Sequence, residues 1–266
     1  MESSQRPILW HIAVSHFSEK ARWALEYKGV AHVRRAPPPG VHIPLVLGMT
    51  RGAAYTLPLL ELSGERIADS TAIIAALERR FPRPALYPRD ERQRARALAL
   101  EERLDERLAP YVRRLAFYEL RRDPRLMAEV ATRSAPALAR RLGRALGPYA
   151  RAFTALRYRA ADAGRAREAR ERVLAELAWL ESELAPRGGS GEREYLVGER
   201  FGVADLTAAA LLYPLVLPAE GPSIVERMPE GYERFRASLA ERRIYGWVRE
   251  MYARHRLRRA RVAPVA

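Results

Sequence analysis

The sequence changes character near residue 82, and this change most constrains the fold. Before it, short apolar runs typical of β-strands alternate with helical patterns, whereas later periodic segments have the spacing of α-helices. Three prolines, Pro82, Pro84 and Pro88, separate the two parts. We therefore predict two domains, residues 1–84 and residues 85–266, which also suits the length of the chain.

The first part predicts the element order βαβαββα, and the second part predicts a helical bundle. Strands are predicted at 8–14, 30–35, 57–62 and 65–68, and the clearest helices at 19–28 and 70–81. Residues 41–54 have mixed helical and loop signals. Later helices are predicted at 91–121 with a break at Pro110, at 136–159, at 165–185, after Gly202 and at 232–259. The predicted fold class is an α/β domain followed by an all-α domain.

The chain contains no cysteine, which excludes disulfides, thiolate metal sites and any reaction in which the protein supplies its own thiol. The five histidines have no tight metal-ligand spacing, so we predict no metal site. No apolar run approaches the ~20 residues needed to span a bilayer, and the first residues do not resemble a secretory signal. We expect a cytoplasmic protein.

The formal net charge of +15 is concentrated in two stretches. Residues 133–172 and 254–261 carry most of it, almost entirely as arginine, since Lys20 and Lys28 are the only lysines. An arginine-rich, lysine-poor chain is typical of a GC-rich bacterial genome. Three interpretations of the insert at 133–172 stay open: a solvated face, a cap that attracts an acidic electrophile, or a surface for nucleic acid or anionic membrane.

Four sequence runs in this order resemble those of glutathione transferases. They are SHFSEKARWAL at 15–25, LPLL at 57–60, IADSTAI at 67–73, and YLVG at 195–198 followed by FGVADLT at 201–207. The resemblance covers nearly the whole chain. It implies a thioredoxin-like domain that binds a thiol, a helical domain that binds an electrophile, and a homodimer.

The resemblance implies that Ser15 is the catalytic residue. A thiolate is a better nucleophile than a thiol, and a hydroxyl that donates a hydrogen bond to sulfur at a helix N-terminus favours the thiolate. Serine-type members use the first position of this turn, which is Ser15 here. Ser18 occupies the second thioredoxin-like position, where it contacts the thiol ligand or caps the helix. His16 stands where the family often has proline. It is either a pH-sensitive orienting group or a solvated turn residue, and we favour the second interpretation.

The resemblance also assigns residues around the thiol ligand. Leu57, before a cis-Pro58, would pair through its backbone with the thiol tripeptide. Ser70 would hold the glutamyl carboxylate of glutathione at the helix start, and Asp69 its amino group. The simpler alternative is that Ser70 only caps this helix.

The electrophile would lie against the first helices of the second domain. Four side chains there are candidates: Tyr111, Leu115, Phe117 and Tyr118. The predicted function is bacterial detoxification, in which glutathione or another low-molecular-weight thiol is added to a small electrophile. Thiol-dependent isomerisation or dehalogenation would use the same site. The alternative is a non-catalytic protein of this fold that binds anionic ligands or partners through its arginine-rich helices.

Overall fold

A computed structural model describes residues 6–38, 40–132, 147–184, 194–223 and 227–256. The first part holds a four-stranded sheet of β1 (Ile8–Trp10), β2 (Val33–Arg35), β3 (Leu59–Leu62) and β4 (Glu65–Ala68) in the order β2-β1-β3-β4. Strand β1 is parallel to β2 and antiparallel to β3, and β3 and β4 form an antiparallel hairpin. The helices of this part are α1 (His16–Tyr27), α2 (His42–Met49) and α3 (Ser70–Arg80). The predicted order βαβαββα is confirmed.

The hairpin between β3 and β4 turns at Ser63 and Gly64, which both have positive φ angles, of 50° and 83°. Such turns match the right-handed twist of the flanking strands. The register pairs Leu60 with Ile67, as the sequence pattern indicates. Strands β1 and β2 are shorter than predicted.

The second part is helical, as predicted. Its helices are α4 (Glu91–Arg107), α5 (Ala109–Leu120), α6 (Pro124–Thr132), α7 (Gly147–Tyr158), α8 (Ala163–Leu184), α9 (Val203–Val216), α10 (Glu230–Ala237) and α11 (Arg243–His255). The predicted break near Pro110 is confirmed, since α4 ends before Leu108 and Pro110 occupies the first turn of α5. The prediction of one helix over 232–259 is wrong because α10 and α11 are separate. The pattern also missed α6.

Helix α9 lies at the centre of the molecule. Each of its residues is buried, and it packs against α1, α4 and α11. Helix α1 lies beside it, and its buried Trp23 contacts Tyr252 of α11 with ring centroids 4.3 Å apart. Apolar side chains of the sheet, α1, α4 and α9 form one continuous core. The two parts are therefore packed on each other over a shared apolar interior.

Asp205 fixes the start of α9. Its carboxylate accepts the backbone N–H of Gly202 and that of Leu196, both at 2.8 Å. Burial raises the pKa of Asp205 to about 7. Gly202 is therefore the N-cap of α9, with an acidic residue three positions on, and the prediction of a helix after Gly202 is confirmed.

The arginine-rich stretches are described only in part. Residues 133–146 and 257–266 lie outside the described residues, so the interpretations of the insert at 133–172 stay predictions for them. The described end of this insert contains α7 and the start of α8. No helix in the described ranges combines the length and the apolar character needed to cross a bilayer.

Candidate active site

A cleft of about 900 Å³, partly open to solvent, lies between the first domain and helices α5 and α7. The first domain contributes, among others, Ser15, His16, Phe17, His42, Tyr55 and Leu57. The helical domain contributes, among others, Arg113, Phe117, Phe153, Arg157 and Tyr158. Both domains are therefore needed to form it.

Ser15 lies on the wall of this cleft and is the N-cap of α1. Its Oγ accepts the backbone N–H of Ser18 at 3.3 Å, which satisfies one of the free donors of the first helical turn. A serine hydroxyl that accepts one hydrogen bond still has its own proton to donate. Ser15 thus combines a free O–H donor with the positive end of a helix dipole.

Ser18 is placed differently. Its side chain is fully buried, and its Oγ accepts the backbone N–H of Ile12 at 3.1 Å. The interpretation that Ser18 caps α1 is wrong, because Ser15 is the cap. Ser18 does not lie on the cleft wall, and its buried hydroxyl stabilises the turn before α1 through the hydrogen bond from Ile12.

Two side chains from elsewhere hold the backbone of this turn. The guanidinium of Arg22 donates to the carbonyls of Ile12, at 3.3 Å, and Ala13, at 3.0 Å. The hydroxyl of Tyr213, on α9, donates to the carbonyl of Val14 at 2.6 Å. Three consecutive carbonyls before Ser15 are therefore fixed by side chains, which holds Ser15 in a single orientation.

Leu57 and Pro58 come directly before β3. The peptide bond between them is cis, as the resemblance implies. Leu57 lies on the cleft wall, while Pro58 directly precedes β3. Leu59 is the first residue of β3 that pairs with β1, and Leu57 comes two positions before it. The backbone of Leu57 is therefore not part of the pairing between β1 and β3.

Asp69 caps α3 through side-chain contacts to two backbone donors. Its carboxylate accepts the N–H of Thr71 at 2.8 Å and that of Ala72 at 3.2 Å. The alternative that Ser70 caps this helix is therefore wrong. The Ser70 side chain is buried, and its Oγ has no hydrogen-bond partner within the described residues. Neither residue lies on the cleft wall outlined above.

A buried ionic cluster lies against the start of α3. The Nζ of Lys20 is 2.8 Å from a carboxylate oxygen of Glu101 and 2.6 Å from one of Asp105, and it donates to the Thr71 hydroxyl at 3.0 Å. Burial raises the pKa of both Glu101 and Asp105, against the opposing effect of Lys20. The cluster joins α1 and α3 of the first domain to α4 of the second.

His16 is buried, so the interpretation that it is a solvated turn residue is wrong. Burial and the nearby Arg113 guanidinium lower the pKa of His16 to about 3, against a hydrogen bond with the Ala109 backbone. The ring is therefore neutral near pH 7. Its Nε2 has no hydrogen-bond partner in the described part of the chain.

The four side chains that were predicted to contact the electrophile do not share one face of α5. Phe117 lies on the cleft wall, whereas Leu115 and Tyr118 line a second cavity of about 820 Å³ against α8 and α10. Tyr111 lines neither cavity and packs under the guanidinium of Arg114. Residues 113, 116, 117 and 120 form the cleft face of the helix, and their spacing of three and four residues is that of one face of an α-helix.

The sequence analysis missed several side chains on the electrophile side, namely Phe17, Arg113, Phe153 and Tyr158. Arg157 also lies there, and it belongs to the insert for which a cap that attracts an acidic electrophile was one interpretation. Arg113 had no distinguishing signal among the many arginines of the chain. No group of three or more His, Asp or Glu side chains with the spacing of metal ligands occurs in the described ranges.

The sheet, the cis-proline, the helix-capping serine and the following helices form a thioredoxin-like domain joined to a helical domain. Two family models match the sequence: the glutathione S-transferase N-terminal domain over residues 9–85 and the C-terminal domain over residues 141–254. Together they span more than two thirds of the chain. The chain belongs to the glutathione S-transferase family.

Solved structures with the same fold include glutathione transferase GSTFuA3 from Phanerochaete chrysosporium, which is 20% identical. The match has a TM-score of 0.64 and covers 94% of this chain and 97% of that one. The theta class enzyme from Xanthomonas axonopodis pv. citri, with glutathione bound, is 21% identical, with a TM-score of 0.56 and coverage of 90% and 95%. β-Etherase LigF from Sphingobium sp. strain SYK-6 is 18% identical, with a TM-score of 0.57 and coverage of 92% and 99%. No curated protein sequence matches this chain.

Proposed function

We propose that the protein is a serine-type glutathione transferase, in which Ser15 stabilises the thiolate of glutathione or of a related small thiol. The thiolate sulfur attacks an electrophilic carbon, a carbon–sulfur bond forms, and the thiol proton passes to solvent. In a substitution the leaving group departs with its electron pair. Ser15 stays uncharged and makes no covalent bond.

The hydrogen bonding of Ser15 carries this proposal. Its Oγ accepts the Ser18 N–H, so the remaining O–H bond is free to point at a sulfur atom in the cleft. The adjacent helix N-terminus also favours a negative charge at that position. Since the chain has no cysteine, the reactive sulfur has to come from the cosubstrate.

Other residues of the first domain suit the rest of a thiol tripeptide. We assign the backbone of Leu57 to the peptide of the ligand, and Ser70 and Asp69 to its glutamyl end, as the family resemblance implies. The unpartnered Oγ of Ser70 supports this assignment, because a buried hydroxyl without a partner costs about 1–3 kcal/mol and a ligand carboxylate would supply one. Ser18 is buried away from the cleft and is assigned to the turn rather than to the ligand.

Other features follow from the family rather than from the described residues. We propose a homodimer in the bacterial cytoplasm that detoxifies small electrophiles. One relative of the same fold is named as a β-etherase, so cleavage of a carbon–oxygen bond by the thiolate belongs to the reactions worth testing.

Ser15→Ala tests the proposal, with glutathione and a neutral activated aryl chloride as substrates. We expect kcat/KM to fall by roughly tenfold or more. The pKa of the bound thiol, measured from the ultraviolet absorbance of the thiolate, should rise towards its free value near ~8.5. Ser15→Thr keeps the hydroxyl and should retain most of the activity. Ser238→Ala is the matched control, because that hydroxyl bonds a carbonyl in α10 outside the cleft.

Unchanged activity and an unchanged thiol pKa in Ser15→Ala would rule out this role for Ser15. A thermal-shift comparison of glutathione, coenzyme A and cysteine identifies the thiol, because a ligand that binds only the folded state raises the melting temperature. Wild-type protein that turns over none of these thiols would favour the non-catalytic alternative.

A further inference from the structure

Arg113 differs from the other buried cations of this protein. Four lysine and arginine side chains in the described ranges are buried outright, and each pairs with at least one carboxylate: Lys20, Arg22, Lys28 and Arg256. Arg113 is largely buried on the cleft wall, yet no carboxylate of the described residues lies within ion-pair distance of it. Its Nε also has no hydrogen-bond partner in that part of the chain.

No carboxylate acts on Arg113 in the described part of the chain: its neighbours are aromatic rings, a neutral histidine and the guanidinium groups of Arg114 and Arg157. Its guanidinium carbon lies 4.4 Å from the ring centroid of Tyr158 and 6.0 Å from that of Phe17. The nearby His16 ring is neutral, because its pKa is lowered to about 3 by burial and by Arg113 itself. Cation–π contacts offset only part of the cost of taking a guanidinium out of water. Burial accordingly lowers the pKa of Arg113.

The cleft offers no carboxylate that would pair with Arg113. None of the described residues that line the cleft is Asp or Glu, whereas Arg157 adds a second positive charge near its edge. The Arg157 guanidinium lies 5.6 Å from the Tyr158 ring centroid and 5.7 Å from that of Tyr55. An anion that enters the cleft therefore meets two cations and no described negative side chain.

The same wall is suited to a flat ring. Phe117 and Tyr158 are stacked with centroids 5.3 Å apart and an angle of 6° between the ring planes. Phe153 stands nearly perpendicular to Tyr158, at 89°, with centroids 6.3 Å apart. Planar aromatic ligands stack on such surfaces and bury their apolar faces.

We propose that the electrophile is a planar aromatic carboxylate whose anionic group pairs with Arg113 while its ring packs against Phe117 and Tyr158. This inference rests on the proposed thiol transfer at Ser15, since it concerns the second substrate of the same cleft. A carboxylate accepts two parallel N–H bonds from a guanidinium, which neutralises the charge and fixes the orientation of the ring. Arg113 is then a specificity-determining residue.

Two matched probes test the charge requirement. One is a chlorodinitrobenzoate with the chlorine para to the carboxylate and flanked by the nitro groups, and the other is its methyl ester. In both, the glutathione thiolate forms a carbon–sulfur bond at the chlorinated carbon, chloride leaves, and the thiol proton goes to solvent. After correction for the uncatalysed rates, we expect wild type to prefer the acid by roughly tenfold or more in kcat/KM.

Arg113→Gln should remove this preference, because it should raise KM for the acid by roughly tenfold more than KM for the ester. Arg113→Lys keeps the charge without the planar fork and should restore part of the preference. Arg151→Gln is the control for net charge, because Arg151 is an exposed arginine on α7 outside the cleft. This variant should behave as wild type.

The outcomes separate the two proposals. If the ester reacts and wild type shows no preference for the acid, the inference is wrong and the proposed thiol transfer stands. If Arg113→Gln weakens glutathione binding and slows acid and ester equally, Arg113 contacts the thiol ligand instead, and the inference is also wrong. If neither probe reacts, the proposed function is wrong. Calorimetry with dinitrobenzoate then tests the anion site separately: binding that is equal in wild type and in Arg113→Gln overturns the pairing of the anion with Arg113.

Discussion

The hydroxyl of Tyr213 donates a hydrogen bond of 2.6 Å to the carbonyl of Val14, and this bond connects α9 to the residue before Ser15. Helix α9 is buried throughout, so its position is set by the core of the molecule. Through this bond, the buried helix restrains the turn that carries the candidate catalytic serine. The core of the helical domain thus helps to orient a residue of the thioredoxin-like domain.

Tyr213→Phe should reduce activity while the protein stays folded. The lost hydrogen bond costs about 1 kcal/mol of stability, and a freer turn orients Ser15 less well, so we expect kcat to fall by about threefold to tenfold. Tyr245→Phe is the matched control, because the Tyr245 hydroxyl donates to the carbonyl of Val216 at 3.2 Å outside the cleft. The two variants should lose similar stability in chemical denaturation. Equal activity in both would contradict the orienting role of Tyr213.

Lys20→Met should destabilise the protein strongly, because it leaves the buried carboxylates of Glu101 and Asp105 without their cation. Removing one partner of a buried ion pair costs about 3–5 kcal/mol, which denaturant unfolding would measure. Arg234→Met is the control, since its ion pair with Glu230 is exposed and its loss should cost less than about 1 kcal/mol.

A triple variant separates charge from packing at this cluster. Adding Glu101→Gln and Asp105→Asn to Lys20→Met removes the uncompensated charges and should recover part of the lost stability. No recovery would show that the methylene stem of Lys20, rather than its charge, holds α1 against α4.

His16 should make the protein less stable in acid. Its pKa is lowered to about 3 in the folded protein, below the ordinary value of 6.5 that applies after unfolding. The unfolded chain therefore binds a proton that the folded protein does not, and this contribution to stability is lost as the pH falls from 6.5 towards 3. Between neutral pH and about pH 5, one such histidine lowers the free energy of unfolding by about 2 kcal/mol.

His16→Phe should reduce this dependence by about one proton, and denaturant titrations at several pH values would measure it. The free energy of unfolding will still depend on pH in this variant, because burial also lowers the pKa of His11 to about 3. A slope equal to that of wild type would show that His16 is already protonated or accessible to water in the folded protein.

The local sequence determined most of the first domain and some helix boundaries of the second. The β3–β4 hairpin, the cap at Gly202 and the break near Pro110 follow from turn residues, apolar spacing and the missing N–H of proline, which act within a few residues. Ser15 and Leu57 were assigned through the resemblance to glutathione transferases, which rests on short runs of local sequence, and the structure has a helix start at Ser15 and a cis bond after Leu57. Helices α10 and α11 were merged in the prediction, since their apolar periodicity continues across the break.

Only the tertiary structure decided which side chains meet in the cleft. Arg113 differs from the other buried cations because the packing of α5 against the first domain removes its side chain from water without placing a carboxylate of the described residues beside it. Tyr213 reaches the turn before Ser15 across 199 positions of sequence, and Lys20 reaches Asp105 across 85. Periodicity fixes which face of a helix is apolar, but the partner of a buried polar atom depends on contacts between distant segments, and those are set when the core closes.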